Sequence, residues 1–224
     1  MLCRLGIALL SAATLAGGAL AANGPPEKPP KKGGSGGDQA WAAAIPIRRD
    51  DLPGIGWQRE RSSSTGGLAV DACTGVDLSD LDVTAESAPT AFGRNGGLVT
   101  SGAAVFANER QAEAAYDRLA GQPLARCLVD AMKRGIGSVG SRFRILSSGR
   151  NATDARAPRS VSWRIRFVVS GPTARIPGRL GFYLLGRGRA DAVLMVISFG
   201  RPLQPVSEGL ERRLAALVAR RLRH

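Results

Sequence analysis

The chain has 224 residues, 44% of them hydrophobic, and carries 31 Lys plus Arg against 18 Asp plus Glu, a formal net charge of +13. That composition excludes a disordered or fibrous chain, and the length suits one good-sized domain or two small ones. The single histidine is the last residue, His224, which argues against Ser–His–Asp hydrolases, His-ligated zinc enzymes and histidine acid–base pairs.

The N-terminus reads Met1-Leu-Cys-Arg4, an apolar stretch from Leu5 to about Ala16, then Ala19-Leu20-Ala21. A short positive segment, an apolar core and an A-x-A site form a secretory signal peptide, here expected over residues 1–21 with cleavage after Ala21. The apolar run is too short to span a bilayer comfortably, and no second one follows, so no transmembrane segment is expected in the mature chain. Residues 22–44 begin ANGPPEKPPKKGGSGG and read as a disordered Pro/Gly/Lys tether. Residues 45–224 are expected to form a single domain.

Cys3 leaves with the signal peptide, so Cys73 and Cys127 remain. Two cysteines in an oxidising compartment most simply form one disulfide. Closing a loop of that length would stabilise the fold by about 4 kcal/mol in the chain-entropy model.

Asp50 to Trp57 is a turn-rich entry carrying one large aromatic. Leu68 to Cys73 reads as a short strand, followed by an acidic loop with Asp77, Asp80, Asp82 and Glu86. That loop lacks the fixed ligand spacing and turn glycine of a calcium site, and no metal is expected. Leu98 to Phe106 is strand-like. Asn108 caps a helix with Gln111 at the capping-box position. Gly121 breaks it, and Pro123 opens a second helix that carries Cys127 and ends near Gly135.

The C-terminal part alternates. Phe143 and Ile145 are interleaved with Arg142 and Arg144; Val161 to Val169 with Ser160, Ser162, Arg164 and Arg166. This period of two predicts strands with one buried and one wet face. Leu180–Leu185 and Val193–Phe199 are more apolar throughout, as central strands are, with a hairpin turn at residues 186–189. Ser207 opens a last helix with Leu210, Leu214, Val218 and Leu222 on one face, and Glu208 and Glu211 in its first turn complement the helix dipole. The element order predicts an α+β domain, a mostly antiparallel sheet flanked by helices.

The entry Asp51-Leu-Pro-Gly…Trp57, the cysteine at a strand end, and Val105-Phe-Ala-Asn-Glu-Arg-Gln-Ala leading to Cys127 resemble secreted actinobacterial sensor-like domains. These include the PknH-type extracellular domain and the LpqN-type lipoproteins. The resemblance, over roughly residues 45–224, implies a PsbP/Mog1-like α/β sandwich that binds or senses rather than catalyses, and it supplies no catalytic residues.

Two motifs carry little. Gly135-Ile-Gly-Ser-Val-Gly140 matches a dinucleotide pattern, but a helix precedes it and a strand follows, the reverse of what that motif needs. Asn151-Ala-Thr153 matches a glycosylation acceptor, a tripeptide short enough to arise by chance. The arginines are more informative. Residues 142–224 hold 17 Arg against only Asp154, Asp191, Glu208 and Glu211. If their strands are neighbours, Arg142, Arg144, Arg164 and Arg166 line one sheet face, where guanidinium forks suit carboxylates and phosphates. The opposing expectation places them under a helix or paired with acids of the N-terminal half.

The expected function is an exported, non-enzymatic, cofactor-free and monomeric binding domain for an anionic envelope or extracellular ligand. The alternatives are a secreted hydrolase built on carboxylates such as Asp77, Asp80 or Glu86, or a purely structural envelope protein. Nucleic acid is disfavoured, because exposed stacking aromatics are scarce.

Overall fold

The structure, a computed structural model, describes residues 35–60, 77–121, 126–130, 142–151, 153, 155–171, 174–200, 203 and 205–223. The alternating segments form long strands: β4 (Gly97–Phe106), β5 (Arg142–Asn151), β6 (Arg159–Ser170), β7 (Arg175–Arg187) and β8 (Ala190–Phe199). Three shorter strands precede them: β1 (Gln58–Arg59), β2 (Val83–Glu86) and β3 (Thr90–Arg94). They make one sheet in the order β1-β3-β4-β8-β7-β6-β5, with β2 also on β4, and every pairing is antiparallel. Gly188, at φ +53°, turns the β7–β8 hairpin in the left-handed region that glycine occupies freely.

Helices cover both faces, giving an α+β domain. On one side α1 (Gly36–Ala44) and α3 (Glu208–Arg221) bury Ala42, Ile45, Leu210, Leu214, Val218 and Leu222 against Val99, Val105, Tyr183, Leu185, Leu194 and Val196. On the other side Tyr116 of α2 (Glu109–Leu119) and Leu128 of the helical residues 126–130 meet Trp163, Ile165, Phe167, Phe182 and Leu184. The strand alternation is what separates these clusters, since successive side chains point to opposite faces. No helix among the described residues is long and apolar enough to cross a membrane.

Several expectations need correction. The tether ends earlier than residue 44. Ser35 accepts from the Asp38 amide at 3.2 Å and caps α1, whose Asp38 carboxylate takes Arg189 Nη2 at 2.7 Å and the Thr84 hydroxyl at 2.7 Å. Trp41 Nε1 donates to the Arg221 carbonyl at 3.3 Å. Three anchoring residues outweigh the glycine-rich average around them. The acidic loop is interrupted by β2, which ends on Glu86, and β3 lies where no strand was expected.

Asn108 does cap α2, accepting from the Gln111 amide at 3.0 Å, but no capping box closes. Gln111 Oε1 instead accepts from the Asp82 amide at 3.1 Å. β7 starts at Arg175, earlier than its apolar core suggests, with Pro177 inside it. Pairing with β8 begins only at Gly178, so on that side the proline lies beyond the ladder. The strand expected over Leu68–Cys73 and the glycine motif 135–140 lie outside the described residues.

Candidate functional site: an arginine-lined sheet face

Facing residues of antiparallel strands point to the same side of the sheet. Arg142 faces Ser170, which faces Arg175; Arg144 faces Val168; Ser147 faces Arg166, which faces Arg179; Gly149 faces Arg164, which faces Gly181. The register irregularity between Ile145 and Ser147 absorbs one residue of β5. The four sequence-derived arginines therefore share one face, the α3 face. Arg175 and Arg179, absent from the sequence reading, join them. Their signal lay in β7's own alternation, obscured by Pro177 and Gly178.

The face divides in two. Over β6 and β7 the first turn of α3 covers Arg164 and Arg179. Arg179 Nη1 meets Glu208 Oε1 at 3.0 Å, and its Nη2 meets Glu211 Oε2 at 3.0 Å and donates to the Val206 carbonyl at 3.1 Å. Arg164 is held more loosely, at 3.7 Å from Glu208 and 3.8 Å from Glu211, and its buried Nε has no hydrogen-bond partner. Glu211 itself is only 1% exposed. It shares α3's apolar stripe with Leu210, Leu214 and Ala215, so its role goes beyond complementing the dipole. Tyr183 donates to Glu211 Oε1 at 2.6 Å. Burial, then the bond to this carboxylate, push the Tyr183 hydroxyl above its ordinary value.

Beyond the helix, Arg142, Arg144, Arg166 and Arg175 are exposed, and none has a carboxylate partner among the described residues. The expected pairing with the acidic N-terminal half falls on other arginines. Arg159 reaches Glu109 and Glu113 at 3.7 Å, besides Asp191 of its own half at 3.1 Å; Arg189 takes Asp38, and Arg221 takes Asp51 at 2.8 Å.

Where β5 ends, a cavity of about 100 Å³ lies between the sheet and α3, lined by Asn151, Thr153, Ala155, Arg164, Tyr183, Arg212 and Ala215. The two polar residues of the Asn151-Ala-Thr153 tripeptide thus meet one of the sequence-derived arginines.

Two of the three acidic candidates are structurally engaged. Arg118 forks onto both oxygens of Asp80, at 2.5 and 2.8 Å, and holds that carboxyl below its ordinary range. Asp77 caps the Ser79 amide at 2.8 Å, and its bonds to Ser79 lower it as well. Glu86 is exposed at the end of β2. Among the described residues no group of three or more His, Cys, Asp and Glu is placed to hold a metal. Cys127 is half-buried against the Trp163 cluster, and Cys73 lies outside the described residues. The sequence matches no protein-family model and no curated protein at a significant level.

Proposed function

We propose that this is an exported, non-enzymatic binding domain for an anionic envelope or extracellular polymer. The observation that carries the reading is the set of four exposed, carboxylate-free arginines, Arg142, Arg144, Arg166 and Arg175, on one sheet face running to the edge strand β5. Guanidinium groups bind carboxylate and phosphate oxygens as two-pronged forks, and a row of them engages a chain of such groups at several points. The lowered pKa values of Asp77 and Asp80 leave both unsuited to the general-acid role that a carboxylate hydrolase requires of one of its pair. The PsbP/Mog1-like sandwich, with helices against both sheet faces, belongs to the same proposal.

Export with cleavage after Ala21, and a Cys73–Cys127 bridge, complete it. An intact mass starting elsewhere than Ala22 would reject the cleavage site. Two titratable thiols in the exported protein would reject the bridge.

The polymer reading is tested by binding to polyglutamate and to a polyphosphate at low ionic strength. Replacing Arg144 and Arg166 by Ser should weaken both interactions and flatten their salt dependence. Unchanged binding by that double variant would remove the basis for the reading.

A further inference from the structure

We infer that the cavity between the end of β5 and α3 receives one compact oxyanion, a carboxylate or phosphoryl group at the terminus of a larger molecule. Its lining is rich in donors. Thr153 Oγ1 already accepts from the Ala155 amide at 3.1 Å, so its own proton is left to donate outward. The Asn151 carbonyl accepts from the Ser162 hydroxyl at 2.9 Å, which fixes the strand end that presents the Asn151 side chain. Arg164 and Arg212 supply positive charge from the sheet and the helix.

Arg164 is the deciding residue. Its side chain is only 20% exposed, yet its two carboxylate neighbours stay at 3.7 and 3.8 Å. Arg179 takes the same two carboxylates at 3.0 Å each. Glu211 is therefore held from the other side and by Tyr183, while Arg164, which lines the cavity, is the more loosely held of the two guanidinium groups. A largely buried guanidinium in this position is completed by an acceptor that brings its own negative charge.

Size sets the class. A volume of about 100 Å³ is below that of a cavity that holds benzene, about 150 Å³, so it suits a single acid group at the end of a larger molecule. Tyr183 and Ala215 form the less polar wall, and the Tyr183 hydroxyl is committed to Glu211, so the acid oxygens are directed to the Arg164, Asn151 and Thr153 side. The inference does not require polymer binding, since none of the four exposed arginines lines the cavity.

The test is calorimetric titration of the full-length protein with acetate and, separately, inorganic phosphate at constant ionic strength, with chloride as the exchanged ion. Saturable one-site binding of at least one anion is expected. It should weaken about tenfold or more in Arg164→Gln and in Thr153→Val, and stay unchanged in the Arg144→Ser/Arg166→Ser double variant. Which anion binds tells a carboxylate terminus from a phosphoryl one. Absence of saturable binding for both anions overturns the inference, and so does undiminished binding by Thr153→Val, a variant of nearly the same shape that decides the matter even if Arg164→Gln does not fold.

Discussion

The Tyr183 hydroxyl donates to Glu211 at 2.6 Å, in a space that exists because residue 181 has no side chain. A β-carbon at Gly181 would collide with the Glu211 carboxylate, which is buried and held by Arg179 and Tyr183. Gly181→Ala should therefore cost about 1–3 kcal/mol, the usual range for overpacking a tight core. Glu211→Gln should cost about 1–3 kcal/mol, because it removes the more buried of the two carboxylates that hold Arg179. Urea denaturation measures both. A midpoint equal to wild type for Glu211→Gln would mean that Arg179 is satisfied by Glu208 and Val206 alone.

Arginines on the same face should separate into two classes. Arg144→Ser and Arg166→Ser, at exposed positions, are expected to shift stability by less than about 0.5 kcal/mol. Arg179→Ser leaves Glu211 buried and poorly compensated, and should lower the melting temperature clearly. If all three variants melt together, the division of the face into a structural and an open portion is wrong.

Asp191 gives a pH dependence with a definite sign. It is buried beside Arg159, and burial raises its carboxyl to about 6 despite the guanidinium, with Glu113 and Asp117 adding to the rise. The unfolded chain releases this proton near the ordinary value of 3.8. Between those values the folded state holds the proton and the unfolded state does not, so stability falls as pH rises towards 6. The full difference is at most about 3 kcal/mol. Melting temperature should thus climb on acidification from pH 7 to pH 5, and Asp191→Asn should flatten that climb. An equal climb in the variant would assign it to another group.

The helix α1 should behave as part of the domain. A chain beginning at residue 45 loses the Asp38–Arg189 pair, the Trp41 contact with Arg221 and the buried Ala42. It should melt at a lower temperature than one beginning at residue 35, and a thermal scan of the two is sufficient. Equal melting would return α1 to the tether.

The strands around Arg142–Asn151, Arg159–Ser170 and Ala190–Phe199 were legible because their alternation is local, and the shared face of Arg142, Arg144, Arg164 and Arg166 followed once the two strands were neighbours. What alternation does not reveal is what lies above a face. Arg164 and Arg166 look identical in sequence, two residues apart on one strand. One is drawn under α3 and the other is exposed, because the first turn of a helix more than 40 residues later lands on only one of them. Glu211 was hidden for the complementary reason: a glutamate in the first turn of a helix is ordinarily solvated, and its burial depends on a gap left by Gly181 in a different strand. Thr153 and Asn151 carried a recognisable pattern, but it pointed to a modification and not to the cavity they help line. The helix α1 was obscured by averaging, since Gly and Pro around it dominate the composition that Asp38 and Trp41 contradict.

The bond from Trp41 to the Arg221 carbonyl spans 180 positions of sequence, so the first and last helices of the described fold touch. Described residues whose first and last helices meet in this way come close to a closed ring. Joining α3 to α1 through a short linker and opening the ring at the Gly188 hairpin tip would reorder the sequence while leaving every sheet pairing available, which makes the domain a natural candidate for circular permutation.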